Sequence, residues 1–217
     1  MTMRTRRSRG EMGGAVASKR YGRQDVIAAA LEILDERGLE AVALREVARR
    51  LDAHLNTVSF QVKTKARLLE LMADTIMAGL TLDDLPEDPA ERVEEILHRY
   101  RRALLTRRDG ARLVAGTSVV EQNTLRVGEA IVAALLDSGA TRVSAVRAFW
   151  GLHYFLIGLV QEEQATTAEH RDRFASEVTA AHYPVLVGVE DVLLTDSFDD
   201  RFAFGLDALI SHARSTR

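Results

Sequence analysis

The residues whose types and spacing carry chemistry are concentrated between positions 44 and 65, Leu-Arg-Glu-Val-Ala-Arg-Arg-Leu-Asp-Ala-His-Leu-Asn-Thr-Val-Ser-Phe-Gln-Val-Lys-Thr-Lys. Asn56, Thr57, Ser59 and Gln61 offer short amides and hydroxyls, and Lys63 and Lys65 offer ammonium groups, all from one run of about ten residues. That mixture suits recognition more than catalysis. Short polar side chains read base edges in a DNA groove, and lysines hold phosphates. The elements needed to aim them are legible around them. Leu44, Val47, Ala48 and Leu51 recur at helical spacing on one apolar face. Asp52, Ala53 and His54 are small or turn-prone. Leu55, Val58 and Val62 then give a second short helix an inward face, leaving the polar residues outward. Two short helices about a tight turn, braced by a longer amphipathic helix before them, predict a helix-turn-helix.

Charge supports a nucleic-acid partner. Residues 1–65 hold 13 Lys/Arg against 8 Asp/Glu, whereas the remainder holds 16 against 24, so a chain of net charge −3 has a basic end and an acidic body. A basic end attracts phosphate and an acidic body is repelled from the duplex. Residues 1–20 carry Arg4, Arg6, Arg7, Arg9, Lys19 and Arg20 among Gly, Ser and Thr, and read as a disordered basic arm. The chain has no cysteine, which excludes disulfides, thiol nucleophiles and thiolate metal sites. His54, His98, His153, His170, His182 and His212 show no paired metal spacing. There is no Gly-rich phosphate loop and no nucleophile elbow, so no enzyme activity, metal or cofactor is expected. The longest apolar run, Phe149 to Val160, is too short for a membrane span. No apolar block of a secretory signal follows the amino terminus, and a cytoplasmic location is expected.

Few prolines and few alternating runs point to an all-α chain. Helices are predicted over 23–37, 66–80, 90–107, 111–118, 121–137, 141–164, 184–194 and 199–213, in addition to the helix-turn-helix. Residues 165–181 are polar, and no helix is assigned there. Asp83, Asp84, Pro86, Glu87 and Pro89 break the chain near residue 82. This divides it into a DNA-binding domain, 21–82, with 66–80 as connecting helix, and a helical effector-binding and dimerisation domain, 83–217.

Three ordered stretches add a resemblance. Leu104-Leu105-Thr106-Arg107-Arg108-Asp109-Gly110-Ala111 is similar to Leu-Leu-x-x-Arg-Asp-Gly-Ala. Gly158-Leu159-Val160-Gln161-Glu162-Glu163-Gln164 is similar to Gly-x-x-x-Glu-x-Gln. Phe202-Ala203-Phe204-Gly205-Leu206-Asp207-Ala208-Leu209-Ile210 is similar to Phe-x-Phe-Gly-Leu-x-x-Ile-Ile. With the helix-turn-helix, they identify the chain as resembling the TetR family of one-component repressors, in its tetracycline-repressor branch. The resemblance implies a homodimer, with an interface from helices 141–164 and 199–213, reading a palindromic double-stranded operator and released by a small-molecule effector. By position it implies DNA contacts from Arg45, Leu55, Asn56, Thr57, Ser59, Gln61 and Lys65, with Arg45 on guanine and Gln61 on adenine. Lys63 joins them as an outward cation. Ser59 stands where the branch has an aromatic residue, and Asp52 where it has a turn glycine.

The resemblance also fixes where an effector would sit, and there this chain departs from the branch. Val114 replaces a metal-reaching histidine, Ile96 and Ala130 replace polar ring contacts, and Thr81 replaces another histidine. Tyr100, Thr117 and Glu162 keep their type. The lining expected is Thr81, Ile96, Tyr100, Leu113, Val114, Thr117, Val127, Ala130, Val146, Phe149, His153 and Glu162. It is too apolar for a magnesium–tetracycline chelate and suits a bulky hydrophobic effector oriented by His153 and Thr117. The alternative reading is a dimeric small-molecule-binding helical module without sequence-specific DNA binding.

Overall fold

A computed structural model describes residues 20–117 and 120–215, and these are helical throughout, with no strand among them. Of the expected basic arm, residues 1–20, all but Arg20 lie outside the described residues. Helix α1 spans Arg23–Arg37 and begins where the Asp25 carboxylate accepts the Gly22 N–H at 2.8 Å. It ends at Gly38, and a single 3-10 turn over Leu39–Ala41 leads into α2, Leu44–Arg50. Helix α3 follows at Leu55–Val62. Asp52 closes α2 in the left-handed conformation at φ 49°, with the Ala53 N–H on the Ala48 carbonyl at 2.9 Å. This is a Schellman turn of the kind glycine usually makes, and aspartate is among the few side chains that accept it.

Helix α4, Lys65–Ala78, is capped by Thr64, whose hydroxyl accepts the Arg67 N–H at 3.1 Å. It packs against α1 and α3 near its start and against helices of the body along its length, so it belongs to both halves. The body comprises α5 (Pro89–Leu105), α6 (Gly110–Ala115), α7 (Gln122–Asp137), α8 (Arg142–Ala165) and α12 (Phe198–Ser215). Asp88 caps α5, accepting the Ala90 and Glu91 N–H groups at 2.9 and 3.0 Å, with Pro89 in the first turn. Helix α8 is long and apolar enough to cross a membrane by composition, but α5, α6, α7 and α12 all pack on it, which makes it the core helix of the body.

Two departures from expectation lie between α8 and α12. A helix, α9, forms at Ala168–Glu177 within the stretch assigned none, capped by the Thr167 hydroxyl on the His170 N–H at 3.3 Å. It is polar on nearly all sides, so it carries no apolar stripe for periodicity to detect. The single helix expected over 184–194 is two short ones, α10 (Pro184–Val187) and α11 (Glu190–Thr195), parted at Gly188 and Val189.

The three sequence motifs prove to be joints. In Phe202-Ala203-Phe204-Gly205, Phe202 is fully buried and stacks on Phe155 at 6.1 Å, while Phe204 faces out. A Cβ on Gly205 would fall 2.1 Å from the Phe155 ring, so only glycine lets α8 and α12 approach there. Gly110 is equally committed, since a Cβ would fall 2.2 Å from the Leu104 carbonyl oxygen. Gln164, from the end of α8, clamps that turn: its Nε2 donates to the Leu104 and Arg107 carbonyls at 3.3 and 2.7 Å, and its Oε1 accepts the Ala111 N–H at 3.3 Å. The clamped turn then holds the amino-terminal helices. Asp109 accepts the Leu39 N–H at 2.8 Å, Arg107 pairs with Asp35, and Arg108 donates to the Glu36 carbonyl at 3.1 Å.

Candidate DNA-reading surface and effector cavity

Helix α3 presents Leu55, Asn56 and Phe60 to solvent, keeps Val58 and Val62 fully buried, and leaves Thr57 and Ser59 half-buried. Lys63 and Lys65 are exposed just beyond its end, and Arg45 is exposed on α2 beside it. Which cations can meet phosphate is decided by which are already paired. Arg37 and Arg49 are held by Glu46, and Arg50 by Glu32 and Glu36. The hydrogen bond from Arg49, aided by Arg37, holds the Glu46 carboxyl down at about 2. Arg45, Lys63 and Lys65 have no ion-pair partner among the described residues, so their charge is available to a polyanion.

Gln61 stands differently from its expected role. Its side-chain Nε2 donates to the Tyr21 carbonyl at 3.0 Å, and its backbone carbonyl accepts from Arg23 Nε at 3.3 Å. The side-chain amide is therefore tied through Nε2 to the start of α1, and it does not project freely toward a base. Phe60 was absent from the expected contacts, yet its ring is 82% exposed on the reading helix. The signal was available in the sequence, because Phe60 sits two residues from each inward valine and so must face out. The chain leaves α3 through a tight turn at Lys63, φ 61° and ψ −61°, closed by the Thr64 N–H on the Val62 carbonyl at 2.7 Å. That γ-turn conformation is rare for a side-chain-bearing residue. It sets the angle between the reading helix and α4.

A cavity of about 1030 Å³, open on one side to solvent, lies between α4, α5, α6, α7 and α8. Of the residues expected there, Tyr100, Val114, Thr117, Val127, Phe149 and His153 line it. The others stand elsewhere. Ile96 and Leu113 are fully buried in the core behind the wall. Ala130 is partly buried against the core and does not reach the cavity, and Val146 is 49% exposed on the outer side of α8. Thr81 is exposed, with its hydroxyl on Asp83 at 3.0 Å, and Glu162 borders a separate small hollow beside Asp109 and Gln164. Helical period places a residue on a face, but a helix apolar on most sides has no marked inner face. That ambiguity also hid Trp150 and Tyr154, which line the cavity mouth.

The cavity wall is mechanically continuous with α4. Ala73 and Met77 of α4 line it directly. Opposite them, α7 is latched to α4 at three levels. Arg67 pairs with Glu121 at 2.6 Å. Asp74 accepts Asn123 Nδ2 at 2.8 Å and the Thr124 N–H and hydroxyl at 2.8 and 3.0 Å. Arg126, which also lines the cavity, donates to the Met77 and Leu80 carbonyls at 3.3 and 2.7 Å. His153 is partly buried, and desolvation pushes its pKa below the ordinary histidine value, so the ring is neutral at pH 7.

Residues 83–214 match the family model described as the tetracyclin repressor-like C-terminal domain. The chain belongs to the TetR family of transcriptional regulators. It is 33% identical over 190 residues to a tetracycline repressor protein of class G from Vibrio anguillarum, covering 86% of this chain and 90% of that protein. It is 32% identical over 195 residues to a class E tetracycline repressor from Escherichia coli, covering 88% and 90% respectively. Among solved structures, a possible TetR family transcriptional regulator from Streptomyces coelicolor A3(2) superposes with a TM-score of 0.82 at 30% identity, covering 90% of this chain and all of that one. The helix-turn-helix is thus the DNA-binding unit of a TetR-family repressor, and the body is its ligand-binding part.

Proposed function

We propose that this TetR-family protein represses transcription as a homodimer on a near-palindromic operator and is released by a hydrophobic effector other than magnesium–tetracycline. The observation that carries the reading is the double membership of α4. Its first turn follows the reading helix directly, and its later turns, at Ala73 and Met77, form part of the cavity wall. A ligand that displaces that wall, or α7 latched to it, rotates α4 and with it the reading head. A coupling of about 1–3 kcal/mol between the two sites changes operator affinity by about 5–150-fold.

The chain divides functionally at about residue 82, with 21–82 reading DNA and 83–217 sensing and dimerising. Arg45, Asn56, Thr57, Ser59 and Phe60 would face base edges and sugars, Leu55 the thymine methyls, and Lys63 and Lys65 the phosphates. Gln61 would act by fixing the register of α1 on α3. Dimerisation is supported by apolar side chains left uncovered along one side of α8, Val143, Val146, Trp150 and Tyr154, and by Phe204 on α12, 79% exposed. A second copy covering this face would set two reading helices about 34–36 Å apart, one turn of duplex. The cavity does not suit a metal chelate. Val114 stands where the branch presents an imidazole, and the one histidine of the lining, His153, is on another wall among aromatic rings.

The test is a mobility shift of the full-length protein on its own upstream DNA in about 100 mM salt with nonspecific competitor, followed by footprinting. A specific complex with two-fold-symmetric protection is expected. A folded dimer that selects no sequence, from upstream DNA or from a random duplex library, would overturn the reading.

A further inference from the structure

The surface around α2 and α3 holds more arginine than it leaves unpaired. Arg45 and Arg49 are four residues apart on α2, so they stand one turn apart on the same flank, and both are exposed. Arg37, from the last turn of α1, reaches across to α2. Of these three, Arg45 has no ion-pair partner among the described residues, and Glu46 takes the other two. Glu46 Oε2 accepts Arg49 Nε at 3.2 Å and its Oε1 accepts Arg49 Nη2 at 2.5 Å, a two-point grip, and Arg37 donates to the same Oε1. The Glu46 side chain is 21% exposed against 71% for Arg49, so the carboxylate is the inner anchor and the guanidinium the solvent-facing partner.

A lone surface ion pair holds little, but a bidentate or shared one is the exception. The hydrogen bond from Arg49, and then that from Arg37, hold the Glu46 carboxyl at about 2, so it stays ionised wherever duplex is stable. What the arrangement withholds is phosphate contact. A loose cation on a reading head gains from every duplex, since phosphate is the same at every sequence. A complex without register lets such a cation find a phosphate wherever the head lies. The operator complex is fixed by base contacts and rewards only the cations that already stand opposite a phosphate. Loose arginines therefore raise affinity for arbitrary sequence more than affinity for the operator, and specificity, the difference between the two, falls.

We propose that Glu46 determines specificity without touching DNA: it restrains Arg49 and Arg37, and so keeps the head's affinity for duplex of arbitrary sequence low. Glu46 is thus a positioning residue that acts through two others. The inference rests on the DNA-reading assignment of α2 and α3 above.

The test is binding of the full-length protein to its operator and to a random-sequence duplex of equal length, by fluorescence anisotropy from about 50 to 300 mM salt. Wild type, Glu46→Gln, Arg49→Ala and the double variant are compared, with a melt to confirm that each is folded. Each arginine freed steepens the slope of log affinity against log salt by about 0.9 per reading head. Glu46→Gln should therefore steepen the random-duplex slope by about 0.9–1.8 per head and raise affinity there about tenfold at about 100 mM salt. The ratio of operator to random affinity should fall by about three- to tenfold. Arg49→Ala should change random-duplex affinity by less than about twofold while Glu46 is present, and should remove at least about half of the gain in the Glu46→Gln background. An unchanged slope in Glu46→Gln would overturn the inference. So would an equal cost of Arg49→Ala in both backgrounds, because loss of the carboxylate charge alone would then account for the gain. If wild type selects an operator and Glu46→Gln keeps the full ratio, the restraint falls and the repressor reading stands. If Glu46→Gln steepens the random-duplex slope through Arg49 but no operator is ever selected, the restraint stands and the repressor reading falls.

Discussion

Asp74→Ala should loosen the connection between the effector cavity and the reading head, by removing the middle of the three latches between α7 and α4. Helix α7 has no cap of its own, since the Glu121 side chain at its N-cap position makes no capping bond. Asp74, on α4, supplies it from outside by accepting the Thr124 N–H at 2.8 Å, and adds bonds to the Thr124 hydroxyl and Asn123. Loss of a helix cap costs about 1 kcal/mol, and each further bond to a charged acceptor about 1 kcal/mol after partial replacement by water. The sum is about 3 kcal/mol. For a chain of this size that corresponds to a fall in Tm of about 6–12 °C. The measurement is thermal unfolding at fixed protomer concentration, because a dimer's Tm depends on it. Asp74→Asn, which keeps one acceptor for the Thr124 N–H, should lose about half as much. Operator affinity without effector should change by less than about threefold, because no DNA-facing residue touches Asp74, whereas the effector-induced change should shrink to about threefold or less, against the 5–150-fold of a coupled switch. A loss below about 1 kcal/mol, or an undiminished effector response in Asp74→Ala, would refute the latch.

Phe60→Ala should weaken the operator complex by about 1–2 kcal/mol, or about 5- to 30-fold, without lowering Tm, because the ring is exposed in the free protein; binding isotherms and a melt check both. Gln61→Ala should weaken binding about equally on every single-base-pair variant of the operator, because its amide is bonded to the Tyr21 carbonyl; relaxed specificity at one base pair would return it to base reading. Lys65→Ala should lower the slope of log affinity against log salt by about one. Finally, His153 has its folded pKa depressed below the usual 6.5 by burial, so the unfolded chain takes up a proton there before the folded one does. Stability from this group is thus intact above about pH 6.5 and declines as pH falls below it. His153→Phe should flatten that part of the Tm–pH curve, and an unchanged curve would count against the assignment.

The amino-acid sequence by itself determined the elements that carry their own signals. The first helix runs Arg23–Arg37 as periodicity and Gly38 require, and α2 and α3 flank the Asp52 turn where apolar spacing puts them. The charge asymmetry and the outward residues of the reading helix were equally local facts, since a residue's face on a short amphipathic helix follows from its neighbours at three and four positions. Only the tertiary structure decided what those faces meet. Gln61 and Tyr21 are bonded across forty residues, Asp74 caps a helix that begins about fifty residues later, and Asp109 holds Leu39 across seventy. No local pattern encodes such pairs, because a hydrogen bond leaves no periodic trace in either segment. On α8, apolar nearly all round, the sequence left the phase open, so Val146 turned outward, and Trp150 and Tyr154 border the cavity while staying exposed on the same side. The physical reason is that burial depends on which neighbour arrives at each face, and on a helix covered by four others that is settled by packing.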